Sequence, residues 1–116
     1  MSNTFGEMVR RRRTEMRLTL RECAYGARMD AGNLSRIERG RMAPPVYPDV
    51  LARLVESLEL TGTPEAQKLT DAAALQNGRI PYDVISDDEA MRAMPLFIGA
   101  LREGGAEALL ELIRRS

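Results

Sequence analysis

The stretch LTLRECAYGARMDAGNLSRIERG, residues 18–40, carries the same helix-start signal twice. Thr19 and Glu22 stand at the Ser/Thr-x-x-Glu spacing of a capping box, with Leu18 and Cys23 placed as its hydrophobic staple. A helix therefore starts at Leu20 and is expected to reach about Ala27. Asp30 repeats the N-cap, Met29 and Leu34 repeat the staple, and Gly40 supplies a left-handed stop, which predicts a second short helix over Ala31–Arg39.

The flanking sequence is helical on both sides. Phe5, Met8, Val9 and Met16 recur at helical spacing, so Thr4–Met16 reads as a helix with Thr4 or Asn3 as its cap. Arg12 falls on that stripe, which predicts a packed alkyl stem and a head that reaches water. After Met42-Ala43-Pro44-Pro45, kept extended by proline, Pro48–Leu58 turns Val50, Leu51, Leu54, Val55 and Leu58 inward. Thr63 and Pro64 open a fifth helix, which Asn77 and Gly78 end. Two short helices joined by a turn of about three residues, inside a set of five, form a helix-turn-helix. Beyond it, Ser86-Asp87-Asp88-Glu89 is a further capping box for a helix to about Met94, which Pro95 ends, kinks or restarts. Leu96–Arg102 looks helical, Gly104-Gly105 breaks it, and Ala106–Arg115 closes the chain with Ala106, Leu109, Leu110 and Ile113 on one stripe. The expected fold class is all-α: a five-helix helix-turn-helix domain over residues 1–78, then a helical C-terminal extension over 79–116.

Composition narrows the chemistry. The chain has 116 residues, no His and one Cys, so it has no imidazole base or metal ligand and no intrachain disulfide. Cys23 is best read as a small buried apolar residue, and the Asp87-Asp88-Glu89 trio as a favourable helix N-terminus rather than a metal site. No catalytic residue, metal or cofactor is assigned. The absence of an export signal or a membrane-spanning stretch gives a cytoplasmic location as the default. A net charge of zero conceals polarity: residues 1–41 hold ten Arg and five acids, a net of +5, and residues 42–116 carry −5. Sixteen of the 17 bases are Arg, whose guanidinium forks onto phosphates and guanine edges.

The segments Leu18-Thr19-x-x-Glu22-x-Ala24 and Leu34-Ser35-Arg36-Ile37-Glu38-Arg39-Gly40, at their mutual spacing, resemble the phage-repressor (Cro and Xre-type, lambda-repressor-like) helix-turn-helix family. The likeness covers roughly residues 4–60. It implies a five-helix domain that binds double-stranded DNA, usually as a dimer, and regulates transcription. It also implies that Arg13 pairs with Glu38 to tie the first helix to the third. Two positions depart from the family pattern. Leu20 stands where Gln is common, which leaves phosphate anchoring to the Thr19 hydroxyl and backbone N–H groups. Arg28 stands where Gly is common, so it must take a positive φ or shift the turn.

With Leu34 and Ile37 inward, a 100° step places Gly32, Ser35, Arg36 and Arg39 outward, flanked by Ala31 and Asn33. The expected base-reading set is Ala31, Gly32, Asn33, Ser35 and Arg36, with Arg36 matched to guanine and Asn33 to adenine or a phosphate. Arg10, Thr19, Arg28, Arg39 and Arg41 form the expected phosphate-binding set. The function these residues suggest is a dimeric, sequence-specific DNA-binding regulator, most simply a repressor. The alternative is an antitoxin-like partner that masks another protein through residues 79–116.

Overall fold

The computed structural model describes residues 4–115, so Asn3, the alternative first cap, lies outside the described residues. Seven helices are found among them: α1 Phe5–Glu15, α2 Leu20–Ala27, α3 Ala31–Glu38, α4 Pro48–Ser57, α5 Pro64–Gln76, α6 Tyr82–Ile85 and α7 Asp88–Arg114. There is no strand among the described residues. The fold is all-α, with the helix-turn-helix, α2 and α3, inside the first five helices. The chain forms two compact units, one running through Ile80 and the other from Pro81.

Local chemistry sets the starts of the first unit's helices. The Thr4 hydroxyl accepts from the Glu7 N–H at 3.3 Å, and the Thr63 hydroxyl accepts from the Ala66 N–H at 3.2 Å. At α2 the capping box is complete: the Thr19 hydroxyl accepts from the Glu22 N–H at 3.1 Å, and the Glu22 carboxylate accepts from the Thr19 N–H at 2.9 Å. That second bond draws the Glu22 carboxyl below its ordinary range.

The helix ends share a device. Arg17, Arg28, Gly40, Glu59 and Gly78 all have positive φ, and the N–H of the next residue reaches back to a carbonyl five residues earlier. Three of the five are not glycine, and each such residue costs roughly 1–2 kcal/mol of backbone strain. Burial of the neighbouring side chain compensates. Leu18, Met29 and Leu60 come directly after Arg17, Arg28 and Glu59, and all three pack against the core.

That core is continuous through the first unit. Phe5 and Val9 of α1 meet Cys23, Ala24 and Ala27 of α2, Leu34 and Ile37 of α3, Leu54, Val55, Leu58 and Leu60 around the end of α4, and Leu69 and Ala73 of α5. α2 packs on α3 and α4, and α1 packs on α3 and α5. Gly6 makes the α1–α3 approach possible. A Cβ on it would lie 2.2 Å from the Ile37 carbonyl oxygen and 2.9 Å from the Glu38 Cα, both backbone atoms that cannot step aside. Arg53 of α4 donates to the Ala27 carbonyl at 3.0 Å and so closes the end of α2.

In the second unit the helix starts one residue later than Ser86 suggested. Asp87 is the N-cap, accepting from the Ala90 N–H at 3.0 Å, because the Ser86 hydroxyl is turned back to the Asp83 carbonyl in the unpredicted one-turn α6. Pro95 lies inside α7 without ending it, and the backbone leaves helical geometry at Gly105 (φ 62°, ψ −152°).

Gly6→Ala should destabilise the first unit by about 3 kcal/mol or more, since overpacking here pushes backbone against backbone. Urea denaturation followed by circular dichroism measures it. A loss below about 1 kcal/mol would mean that α1 can pull away from α3 freely.

Candidate nucleic-acid interface

The position of α3 is fixed from its inner side. Arg13 of α1 donates from Nε to Glu38 Oε2 at 2.7 Å and from Nη2 to Glu38 Oε1 at 2.9 Å, while its Nη1 reaches the Leu18 carbonyl at 2.9 Å. The two side chains are 15% and 4% exposed. This fork pins α1, the α1–α2 connection and α3 at one point, as the resemblance implied. The hydrogen bond to Glu38 raises the Arg13 pKa above the ordinary guanidinium value, against the opposing effect of burial. Asp30 caps the other end of α3, accepting from the Asn33 N–H at 2.9 Å.

The outer face of α3 carries Gly32 and Arg36, both exposed, with Arg39 exposed as the residue that caps the helix. Arg36 Nη1 donates to Asn33 Oδ1 at 2.9 Å, so two of the five residues expected to read bases hold one another in the free protein. The arrangement orients the guanidinium outward and leaves its Nε and Nη2 edge open. Ser35 is half-buried at the rim. Ala31 is also half-buried, and it packs against the core, which limits the methyl it can offer to a thymine. A Cβ on Gly32 would meet side-chain atoms only, the nearest being Asp30 Oδ1 at 3.0 Å, so no backbone contact within the chain calls for this glycine.

The expected phosphate-binding residues all lie on the surface. Thr19 is exposed at the start of α2, and its hydroxyl proton remains available although its oxygen accepts from Glu22. Arg28 is exposed and takes the left-handed conformation (φ 55°, ψ 45°), the first of the two options its position offered. Arg39 Nε is turned back to its own helix, donating to the Ser35 carbonyl at 3.3 Å. Arg10 is exposed on the flank of α1 between Gly6 and Arg13, both of which face α3, and Arg41 is exposed just past Gly40. Arg12 belongs elsewhere. Its head is split between the frame and the surface: Nε donates to the Leu58 carbonyl at 2.9 Å, which closes the end of α4, while Nη1 lies 3.7 Å from the exposed Glu15 carboxylate and the side chain stays partly open to water, as its stripe position suggested.

Tyr25 was not foreseen. It is 88% exposed on α2, on the same outer stripe as Arg21 and Arg28, one turn from each. The signal was present in the sequence: an aromatic at a position where the α2 pattern asks for a polar residue. Cys23 lies buried beneath, with the Ser57 hydroxyl donating to its carbonyl at 2.9 Å. Burial pushes its thiol above the ordinary range. No group of three or more Cys, Asp or Glu placed to hold a metal occurs among the described residues.

A helix pair capped at both N-termini, packed on its inner side and presenting guanidinium groups outward, defines a helix-turn-helix DNA-binding protein. Residues 4–67 match the model of the helix-turn-helix domain family, more than half of the chain, and the chain belongs to that family. Domains of this kind are typically non-enzymatic, and their partner is DNA. Comparison with curated proteins gave no match, nor did comparison with solved structures. No helix among the described residues is long and apolar enough to cross a membrane.

Removing one partner of the Arg13–Glu38 fork should cost about 3–5 kcal/mol, because the other charge is left buried alone. Arg13→Ala and Glu38→Ala should each show this by thermal denaturation. The double substitution Arg13→Met with Glu38→Leu should recover most of the loss. Equal, additive losses in the double variant would mean that the two side chains act independently.

Proposed function

We propose that this chain is a sequence-specific transcriptional repressor that occupies a two-fold operator as a dimer, with α3 in the major groove of each half-site. What supports the reading best is the outer face of α3: Arg36 stands exposed and oriented by Asn33, on a helix locked from behind by Arg13 and Glu38. Arg36 reads a guanine through O6 and N7. Asn33 either shares that contact or takes an adjacent adenine, and Gly32 and Ser35 let the backbone approach the base edges. Ala31 has the smallest part, since its methyl is half-committed to the core. Arg10, Thr19, Arg28, Arg39 and Arg41 hold phosphates and set the docking angle without reading sequence. Repression follows by occlusion, since a bound dimer excludes polymerase from the site it covers. The domain through residue 78 does the reading, and residues 79–116 join two copies.

Selection of bound sequences from a random duplex pool should return a two-fold motif. Repeating it with Arg36→Ala should erase the preference at one base position per half-site, a loss of about 1–3 kcal/mol of discrimination, with the other positions retained. Arg41→Ala should weaken binding to all sequences alike and flatten the salt dependence. Equal affinity for selected and random duplexes at physiological salt would remove the proposal. Uniform weakening by Arg36→Ala would move that residue to the phosphates.

A further inference from the structure

The unit from Pro81 onward contains no buried side chain among its described residues. Leu96, Ile98, Leu101, Leu110 and Ile113 are all exposed in it. Units of fewer than about 40 residues hold together through disulfides, metals or association. The first is closed to this chain, whose one cysteine is Cys23, and the described residues offer no metal cluster. Association remains.

The geometry of α7 shows where. Past the break at Gly105, Ala108, Glu111 and Arg115 share a groove with Pro95, Leu96 and Gly99 of the earlier arm. The polar flank of the last arm is therefore turned toward the groove. Its apolar stripe, Ala106, Leu109, Leu110 and Ile113, is left open, with Leu110 46% and Ile113 55% exposed. A stripe this apolar, with charge only along its edge and on the other side, is a packing face that lacks its partner.

We infer that the partner is a second copy of this chain, its last arm lying antiparallel to the first about a two-fold axis at Leu110. The charges beside the stripe select this occupant and this direction. Glu107 and Arg114 border the stripe on the Leu110 side, two turns apart. Antiparallel pairing centred beside Leu110 sets each Glu107 opposite Arg114 of the other copy, twice over. Parallel pairing brings the Leu110 flank of one copy against the opposite, uncharged flank of the other, so Glu107 and Arg114 find no partner across the seam. An unrelated partner requires no such self-complementarity. Within one chain Arg114 pairs with Glu111 at 3.2 Å, but both side chains are more than half exposed, so the bond is weak and readily exchanged. The inference deepens the DNA-reading proposal, on which its functional meaning rests: it places the contact that would bring two α3 helices onto one operator.

Sedimentation equilibrium of the full chain tests it. Wild type should be a dimer, and Leu110→Glu should raise the dimer dissociation constant roughly 30-fold or more, as loss of a central interface residue does. Its far-UV circular dichroism and melting temperature at low concentration should be unchanged, since Leu110 supports no buried core. Glu107→Arg should weaken the dimer, and Glu107→Arg with Arg114→Glu should restore it. A wild type that stays monomeric, or that forms a stoichiometric complex with a different polypeptide through this arm, overturns the inference. So does a dimer indifferent to Leu110→Glu, and a double variant as weak as the single one overturns the antiparallel register. A dimer with no DNA sequence preference leaves this inference standing and removes the repressor proposal. A selective monomer on a single half-site removes this inference and the dimeric part of the repressor proposal, and leaves only the reading of DNA by α3.

Discussion

The fork between Arg13 and Glu38 decides where α3 can lie. Two nearly buried charges at 2.7 Å are tolerable only as a pair, because either alone would be stranded in a poorly solvated site. Its third bond, from Arg13 to the Leu18 carbonyl, brings in the residue that starts the helix-turn-helix. Gly6 works at the same junction by letting the α1 backbone settle against the carbonyls of Ile37 and Glu38. With one side of α3 committed to this junction and to Leu34 and Ile37, the opposite side has only solvent, or a groove, to face.

The ten arginines of the first 41 residues then divide by environment. Arg12 and Arg13 are absorbed into the frame, donating to the Leu58 carbonyl and to Glu38. Arg39 is partly drawn to its own helix, and Arg36 is steadied by Asn33. Arg10, Arg17, Arg21, Arg28 and Arg41 stand exposed, and Arg11 is half-buried. A count of charges treats these residues alike, although a guanidinium bound to a buried acceptor cannot reach a phosphate. Fewer guanidinium groups are therefore available to a phosphate than the composition suggests.

Much of the first unit was legible because its helices start and stop on local chemistry. Thr4, Thr19, Asp30 and Thr63 each accept a backbone N–H within three residues, a rule that needs no tertiary information. Gly40 and Gly78 end their helices in the same way, through a conformation glycine adopts freely. Where two local signals competed, the sequence was ambiguous. Ser86 could cap α7 or close α6, and only the presence of the short α6 turn settled it. At Arg28 the left-handed conformation was one of two options, chosen because Met29 must reach the core.

The linear chain determined the helices, their inward stripes and the outward character of Arg36, since caps and a 100° repeat act over three or four residues. Only the tertiary structure decided which backbone could approach which: that Gly6 is needed for the α1–α3 approach, that Arg12 and Arg53 close the ends of α4 and α2, and that Asn33 steadies Arg36. The first three join partners tens of residues apart, and the last needs a rotamer that spacing alone does not choose. Such contacts depend on how already-formed helices dock, and docking is set by shape and by the pairing of buried polar groups, neither of which leaves a periodic trace in sequence.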